Sequence, residues 1–484
     1  MIKKVFFWVS LIFFFTACED TLIILPRDGL VKNEYWKLKE DVEATLMGAY
    51  QKFAQMDYLL FYYGELRGDL LEQGGNLPNE LRDIMNSNIY PWNSYTDWTP
   101  FYSIINYCNS VLAYSPQVKE SDPTFTQYKM DQYNAEAIFL RSLAYFYLVR
   151  TFRDVPYILT PYDTDEQDFF PLKTESTVIL NSIKLDLQQI IVKIPEEHQT
   201  NALTRGRATR GAVNALLADI SLWTFNYEDC IKYVEDIERS ELYKLLPGGK
   251  WFTLFSEGNT LEGIFEFQFD GNLGQYNHMY NVTRPESNYF PVSSFGLEIL
   301  LPEISYEMIR GYGTVNSLNE FIWKYVGSKP DEYSRRSSAE QADCNWIVYR
   351  LADVLLMKAE ALSQIGRYNE ALTIVNQIHD RAFMGVVSAP QNPQAYEDMI
   401  LMERAKELAY EGKRWFDLLR MGSRNNYERK TTLIEIVIEK VPATQKRVLA
   451  SKLNDPNGWY LPINDQEMET NVNLVQNTYY QVYE

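Results

Sequence analysis

Two stretches of the sequence concentrate aromatic rings beside amide side chains. The first cluster contains Trp92, Asn93, Tyr95 and Trp98, and the second contains Tyr276, His278, Tyr280, Tyr289 and Phe290. Flat rings can lie under the apolar face of a sugar, while amides and carboxylates reach the hydroxyl groups at its rim. These residues are therefore the candidate ligand-binding set.

Structural packing is the competing interpretation for each single ring, because large aromatic side chains are mostly buried in folded proteins. Trp98 illustrates the problem, since it begins a helical stripe with Tyr102 and Ile105. We therefore predict ligand contact for the two clusters as groups rather than for one ring at a time.

Histidine and cysteine are too scattered to suggest a metal centre or an activated nucleophile. The histidines are His198, His278 and His379, and the cysteines are Cys18, Cys108, Cys230 and Cys344. No two cysteines form a CxxC pair, and we expect the last three to be packed thiols. No acidic loop has EF-hand spacing, which leaves weak calcium binding as a minor alternative. We predict no catalytic residue, no metal site and no cofactor.

A dense run of charges over residues 403–417 offers carboxylates that could be mistaken for catalytic groups. Glu403 and Glu407 share a helix face, where their like charges repel unless a cation reaches between them. The candidate cations are Arg404, Lys406 and Arg414. Acid–base cleavage of a glycoside needs two carboxylates about 5–9.5 Å apart across a cleft, and nothing in the sequence defines such a cleft. We interpret the run as a structural ion-pair network.

Composition excludes further classes of protein. The chain carries 46 Lys plus Arg against 65 Asp plus Glu, a formal charge of −19, so its field repels nucleic acid. Hydrophobic residues at 46% and charged residues at 23% are ordinary for a folded chain, which argues against disorder. The 35 tyrosines exceed what core packing requires and favour exposed stacking surfaces.

Residues 1–17 have the pattern of a signal peptide, with a short basic start, an apolar run and small residues before Cys18. The apolar run is shorter than the ~20 residues that span a bilayer, which argues against a transmembrane anchor. The small-small-Cys ending is similar to a bacterial lipobox. We therefore expect an acylated Cys18 rather than plain secretion, followed by a tether over residues 18–32. Glu19 and Asp20 resemble the export signal of surface-exposed lipoproteins.

Apolar periodicity predicts a helical scaffold interrupted by two irregular regions within one domain at residues 33–484. Scaffold helices are expected in residues 33–56, 130–240 and 346–422, and ligand-facing loops in residues 57–100 and 245–345. Residues 264–269 and 321–326 are strand candidates in the second irregular region.

One helical pattern occurs twice. Aligning Ala359 with Ala218 also aligns Tyr368 with Tyr227, and a second helix follows each tyrosine. Small residues at helix contacts let antiparallel helices approach closely, as in tetratricopeptide hairpins. Two copies far apart are not a tandem array, so an ordinary pair of α-α hairpins remains the alternative.

Six blocks of sequence, in the expected order, resemble the SusD/RagB family of surface lipoproteins that capture nutrients for a partner transporter. They lie at residues 25–50, 135–156, 254–269, 349–372, 403–422 and 460–480. One departure is at the end, where the family often has Asn-Pro-Gly-Tyr and this chain has Asn477, Thr478, Tyr479 and Tyr480.

The resemblance implies a mostly α fold, with tetratricopeptide-like helical hairpins as scaffold and an irregular, loop-rich insert carrying a few short strands. It also implies a lipid-anchored outer-membrane protein, facing the cell exterior, that is not an enzyme. Such proteins bind oligosaccharides and deliver them to a TonB-dependent outer-membrane barrel of the SusC type. Some members take peptides or other nutrients, so a peptide cargo stays open.

Two functions of other classes also remain. A surface glycoside hydrolase would use some of the many carboxylates, and a tetratricopeptide scaffold would recruit proteins without any small ligand. Turnover of a bound glycan distinguishes the first from a binding protein, and co-purification without a soluble ligand distinguishes the second.

Overall fold

The computed structural model describes residues 35–163, 167–301 and 309–481. The predicted signal peptide, Cys18 and the tether lie outside the described residues. Helices dominate the described chain and the strands are few and short. The mostly α prediction is confirmed.

The first half of the described chain is a succession of helices. They are α1 (Lys39–Ala54), α2 (Asp57–Glu65), α3 (Asn79–Met85), α4 (Thr99–Ser121), α5 (Gln127–Phe152), α6 (Ser176–Ile190), α7 (Asn201–Gly206), α8 (Arg210–Trp223) and α9 (Tyr227–Arg239). The strands β1 (Val155–Pro156) and β2 (Lys173–Thr174) pair antiparallel between α5 and α6. Hydroxyl caps define several helix starts, as where Thr209 accepts the Ala212 N–H at the start of α8.

The insert that follows α9 is irregular. Its elements are α10 (Thr253–Ser256), β3 (Gly263–Phe267), α11 (Met279–Thr283), α12 (Ser294–Leu300), α13 (Arg310–Thr314), β4 (Val315–Asn316), β5 (Phe321–Ile322) and β6 (Trp346–Arg350). The strand predicted at residues 264–269 corresponds to β3, which pairs antiparallel with β6. The strand predicted at residues 321–326 ends after Ile322, because the backbone N–H groups of Val326 and Gly327 turn back to the Trp323 carbonyl.

Helices resume after β6. They are α14 (Leu351–Gln364), α15 (Tyr368–Arg381), α16 (Pro393–Glu407), α17 (Arg414–Tyr427), α18 (Lys430–Ile438), α19 (Ala443–Leu453) and α20 (Asp465–Thr470). The helix predicted after residue 401 is broken between α16 and α17, where Tyr410 and Gly412 have positive φ angles of 66° and 72°. The Glu65 carboxylate accepts the Lys413 N–H just after this turn, at 3.0 Å.

The two hairpins expected from the repeated pattern are α8–α9 and α14–α15. Their second helices begin at Tyr227 and Tyr368, the tyrosines that the alignment superposed. Ala218 and Ala359 are fully buried, as close helix contact requires. Helix α9 also packs against α14, so hairpins that are distant in sequence form one stack. The tetratricopeptide-like prediction is confirmed.

Residues 57–100 are not a continuous loop, as we had expected, but contain α2, α3 and the start of α4. Every residue of α2 except Tyr58 is buried. A helix that is buried all round shows no polar face, so its period is invisible in the sequence. The prediction of loop was wrong for this helix.

The charged run is a buried ion-pair network, as predicted. The Glu407 carboxylate binds Arg310 at 3.0 Å, Arg350 at 2.6 Å and also Arg381. Burial alone would raise the pKa of Glu407, but the charges of Arg381, Arg350 and Arg310 outweigh it and hold the pKa well below its usual range. These carboxylates are structural partners of guanidinium groups.

The cation between Glu403 and Glu407 comes from the insert. Arg310 lies 2.6 Å from the Glu403 carboxylate and also contacts Glu407. The sequence pointed instead to Arg404, Lys406 and Arg414. Arg404 and Arg414 pair with aspartates instead of bridging the two glutamates, so this part of the prediction was wrong. Spacing along one helix reveals neighbours on that helix but not a distant chain segment that packs on it.

Two further expectations concern the described residues. Cys108, Cys230 and Cys344 are buried free thiols, as predicted. Within the part of the chain that the structure describes, no helix is both long and apolar enough to cross a membrane.

Candidate functional site

Four rings follow one another across the surface where α2 meets the insert. The ring centroids of His278 and Tyr58 are 5.0 Å apart, those of Tyr58 and Tyr62 are 5.7 Å apart, and those of Tyr62 and Tyr95 are 5.2 Å apart. We call these four residues the aromatic row. His278 is exposed and Tyr58 and Tyr95 are half-buried, whereas Tyr62 is buried beneath them. Three of the four rings are therefore partly open to solvent, and neighbouring rings meet edge to face, with interplanar angles of 63°, 74° and 89°.

Helix α2 and the insert position the row jointly. Tyr58 and Tyr62 are one turn apart on α2, so they lie on the same helix face. The backbone N–H of Gly74 donates to the Tyr289 carbonyl at 2.9 Å. A Cβ at Gly74 would be 1.9 Å from the Asn288 carbonyl oxygen, so the close approach of the two segments requires glycine there. This contact joins the two regions in which the sequence predicted ligand-facing aromatics.

Tyr289 lies beside the row rather than in it. Burial raises the pKa of the Tyr95 phenol, and the nearby Glu80, Tyr58 and Tyr289 raise it further. Tyr289 is half-buried and contacts the ring of Phe290. It can therefore contribute one edge to a ligand lying along the row.

A cleft of about 580 Å³ opens at the His278 end of the row. Glutamines dominate its polar lining: Gln51, Gln55, Gln268 and Gln275. We call it the glutamine cleft. Tyr58, Tyr276 and His278 also line it, and among the described lining residues His278 is the one that can carry a positive charge. Each primary amide both donates and accepts, which matches the hydroxyl group of a sugar.

His278 has a defined orientation in this cleft. The buried Asp57 carboxylate accepts the His278 backbone N–H at 2.7 Å and lies 2.6 Å from Nδ1 of the ring. The hydrogen bond to Asp57 raises the pKa of His278, although partial burial of the ring opposes this shift. The imidazole is thereby held with its other nitrogen available to the cleft.

Trp92 is the most exposed ring of the predicted set, with 63% of its surface open. Tyr90 stacks under it at 4.6 Å with an interplanar angle of 8°. This stack holds the indole flat while its opposite face meets solvent. Trp92 is three residues from Tyr95, which limits the separation of their Cα atoms to about 11 Å. Trp92 is therefore an exposed ring close in sequence to the Tyr95 end of the aromatic row.

Four predicted ligand residues belong to the protein interior and leave the candidate site. They are Asn93, Trp98, Tyr280 and Phe290, each exposed by 2% or less. Trp98 packs edge-on against Tyr102 and Phe152, and Phe290 against Phe61. Their sequence neighbourhood is polar, but each ring points into an apolar core.

Hydrogen bonds account for the polar side-chain groups of Asn93 and Tyr280. Asn93 accepts the Tyr95 N–H at 3.0 Å and so caps a short helical turn, Ser94–Thr96. The Tyr280 hydroxyl donates to the Arg336 carbonyl at 3.2 Å. Neither side chain has a free group for a ligand.

Tyr276 remains in the site, half-buried in the cleft wall with its hydroxyl donating to the Gly271 carbonyl at 3.2 Å. Sequence reasoning missed Tyr58 and the glutamines. The spacing of Gln51 and Gln55, one helical turn apart, was the available signal. The other glutamines come from the insert and are brought opposite them only by the fold.

A metal centre finds no support in the described residues, where no group of three or more His, Cys, Asp or Glu side chains is arranged to hold an ion. The cleft lining in that part of the chain includes no carboxylate. Aromatic stacking and hydrogen bonding are the chemistry that this surface provides.

Comparison with known proteins agrees with this architecture. A model of the SusD family matches residues 309–480, and a second model, described as starch-binding and associating with the outer membrane, matches residues 32–222. SusD-like protein P38 of Formosa agariphila is 25% identical, over 84% of this chain and 88% of that protein. This chain belongs to the SusD/RagB family.

Solved structures share the fold of this SusD/RagB protein. A laminarin-binding SusD-like protein superposes with a TM-score of 0.73 at 21% identity, covering 91% of this chain and 99% of that one. Surface glycan-binding protein A from Bacteroides thetaiotaomicron, solved with laminarihexaose, has a TM-score of 0.70 at 21% identity. That likeness covers 91% of this chain and all of the other.

Proposed function

We propose that this protein binds oligosaccharides at the cell surface, along the aromatic row and in the glutamine cleft, without cleaving them. The observation that carries the proposal is that the partly exposed rings of Tyr58, Tyr95 and His278, joined through the buried Tyr62, adjoin a cleft lined by four amide side chains. Rings stack on the apolar face of a sugar and amides bind its hydroxyls. Laminarin binding by a SusD-like structural neighbour supports a glycan as the ligand class.

The ligand-binding residues that we propose are Tyr58, Trp92, Tyr95, Tyr276, His278 and Tyr289, with the glutamines of the cleft. Trp92 and Tyr95 extend the surface towards one end, and the cleft receives the other end of the oligosaccharide. Binding of this kind is shallow and rests on a few stacked rings, so we expect modest affinity.

Calorimetry or affinity electrophoresis against a panel of glycans tests this function. The panel includes laminarin, starch, xylan and an acidic polysaccharide, and the full mature chain is the sample. Retention of one glycan that weakens in Tyr58→Ala supports the proposal. Absence of binding to every glycan, together with retention of peptides, would indicate peptide capture instead.

We also propose that the protein is not a glycoside hydrolase. The carboxylates most conspicuous in sequence are paired with guanidinium groups in the core, away from the cleft lining. Incubation with a retained glycan, followed by chromatography of the products, provides the test. Release of shorter sugars would contradict the binding function.

Delivery to a membrane transporter completes the proposal. We expect Cys18 to be acylated, to hold the protein on the outer membrane with the site facing outward, and to keep it beside a TonB-dependent barrel of the SusC type. Mass spectrometry of the N-terminal peptide should find fatty acids on Cys18, and Cys18→Ser should release the protein into the soluble fraction. Affinity purification from the native membrane should recover the barrel, whereas recovery of other proteins alone would favour a scaffold.

A further inference from the structure

Asp57 gives the ring of His278 a fixed direction. Its carboxylate is buried at the start of α2 and holds both the backbone N–H and the ring of His278. A carboxylate is an acceptor, so the 2.6 Å contact places a proton on Nδ1 in the neutral ring as well as in the charged one. The proton that the ring gains on acidification therefore resides on Nε2.

Nε2 is directed away from Asp57, and among the described residues it has no hydrogen-bond partner. The side chain of His278 is 48% exposed and lines the glutamine cleft. A ligand in the cleft thus meets an acceptor when the ring is neutral and a charged donor when it is protonated.

The other titratable groups near the His278 ring do not offer a charged donor to the cleft. Tyr58 on α2 contacts its face edge-on, and Tyr276 lies in its own segment of the insert. Asp343 approaches Gly271 in the same segment and is not among the described residues that line the cleft. No Lys, Arg, Asp or Glu is among the described residues that line the cleft, so none there competes for a ligand oxygen.

The contact with Asp57 favours the charged form of the His278 ring relative to that of a free histidine. The hydrogen bond to Asp57 raises the pKa of His278 above its ordinary value of 6.5, partial burial lowers it, and the Asp57 charge raises it further. The raised pKa means that the ring loses its proton at a higher pH than a free histidine does.

We infer that His278 is a pH-dependent donor of this site, giving a charge-assisted hydrogen bond from Nε2 to an oxygen of the bound glycan, and that Asp57 is its positioning residue. The inference rests on the proposed glycan binding. A charged donor forms a hydrogen bond roughly twice as strong as a neutral pair, so affinity should fall about fivefold as the ring deprotonates. Affinity is highest below the pKa of His278 and declines as the pH rises through it.

Calorimetric titration with a retained oligosaccharide, beginning with laminarihexaose, tests the inference from about pH 5.5 to about pH 9, a range that brackets histidine titration. The wild-type dissociation constant should rise with pH. The His278→Gln variant should bind more weakly than the wild type does at low pH, and its dissociation constant should not change with pH. His379→Gln, which alters a histidine outside the cleft, should keep the wild-type profile.

Failure of the His278 inference and failure of the proposed function give different results. Wild-type binding that is intact but flat across this range overturns the role of His278 and leaves glycan binding standing. Absence of binding to every oligosaccharide of the panel at every pH overturns the proposed function itself.

The role of Asp57 has its own readout. NMR titration of the ring carbon signals should give a lower pKa for His278 in Asp57→Asn than in the wild type, and the binding profile should shift to lower pH with it. With three histidines in the chain, single variants assign the signals. An unchanged His278 titration in a folded Asp57→Asn protein would show that Asp57 does not position the ring.

Discussion

The helical stack and the ligand face use charge in opposite ways. In the stack, Glu407 and its neighbours are buried and bound to several guanidinium groups. In the glutamine cleft, the described lining is amide and aromatic, with His278 as its ionisable base. The side chains most suggestive of chemistry in the sequence are therefore buried ion-pair partners, while the proposed binding surface consists mainly of amide and aromatic residues. Buried charges need partners, whereas a stacking surface must leave its rings partly uncovered.

The largest effect should come from breaking the ion network. Glu407→Gln removes the charge shared by Arg310, Arg350 and Arg381, and we expect the free energy of unfolding to fall by about 3–5 kcal/mol. Urea denaturation measures this free energy of unfolding. Asp236→Asn, at the more exposed pair with Arg239, should change the same quantity by less than about 1 kcal/mol. Equal losses in the two variants would contradict a structural role for the network.

Two tryptophans of one predicted cluster provide a sharper contrast. Trp98→Ala empties a core position and should lower the free energy of unfolding by about 3 kcal/mol or more. Trp92→Ala, at an exposed ring, should change it by less than about 0.5 kcal/mol. Its effect should appear in glycan affinity instead, as a loss of about 1 kcal/mol or about fivefold in Kd. Wild-type glycan affinity in the Trp92→Ala variant would contradict this contrast between the two tryptophans.

A similar change in affinity, without any loss of stability, is expected for the cleft amides. Gln55→Ala removes hydrogen-bonding atoms from the lining, and a single neutral hydrogen bond contributes about 0.5–1.5 kcal/mol. Calorimetry should therefore find Kd raised by about fivefold with the unfolding curve unchanged. Gln189→Ala, an exposed glutamine on α6 that does not line the cleft, is the matched control. The same Kd in both variants would remove Gln55 from the site.

Features that depend on local sequence patterns were predicted correctly, whereas features that depend on contacts between distant segments were not. The paired starts of α9 and α15, the strand β3 and the buried thiols follow from local patterns, and the structure has them. The loop prediction is wrong for helix α2, because a helix buried nearly all round has no polar face to mark its period.

The residues of the candidate site show the same difference between local and long-range information. Trp92 is exposed and Trp98, six positions later, is buried. A helical stripe in the sequence already sets Trp98 apart, and its packing against Tyr102 and Phe152 places it in the core. Tyr58 went unnoticed because its partner in the row, His278, is distant in sequence. The cation for Glu403 was misassigned for the same reason, since Arg310 arrives from the insert.

The charge, the helical repeat, the expected lipid-anchored start and the family can be predicted from residue type and short spacing. Packing between distant segments sets which rings face solvent, which carboxylates are neutralised and which glutamines meet across the cleft. Burial and long-range pairing are properties of surfaces brought together from separate segments, and no local pattern carries that information.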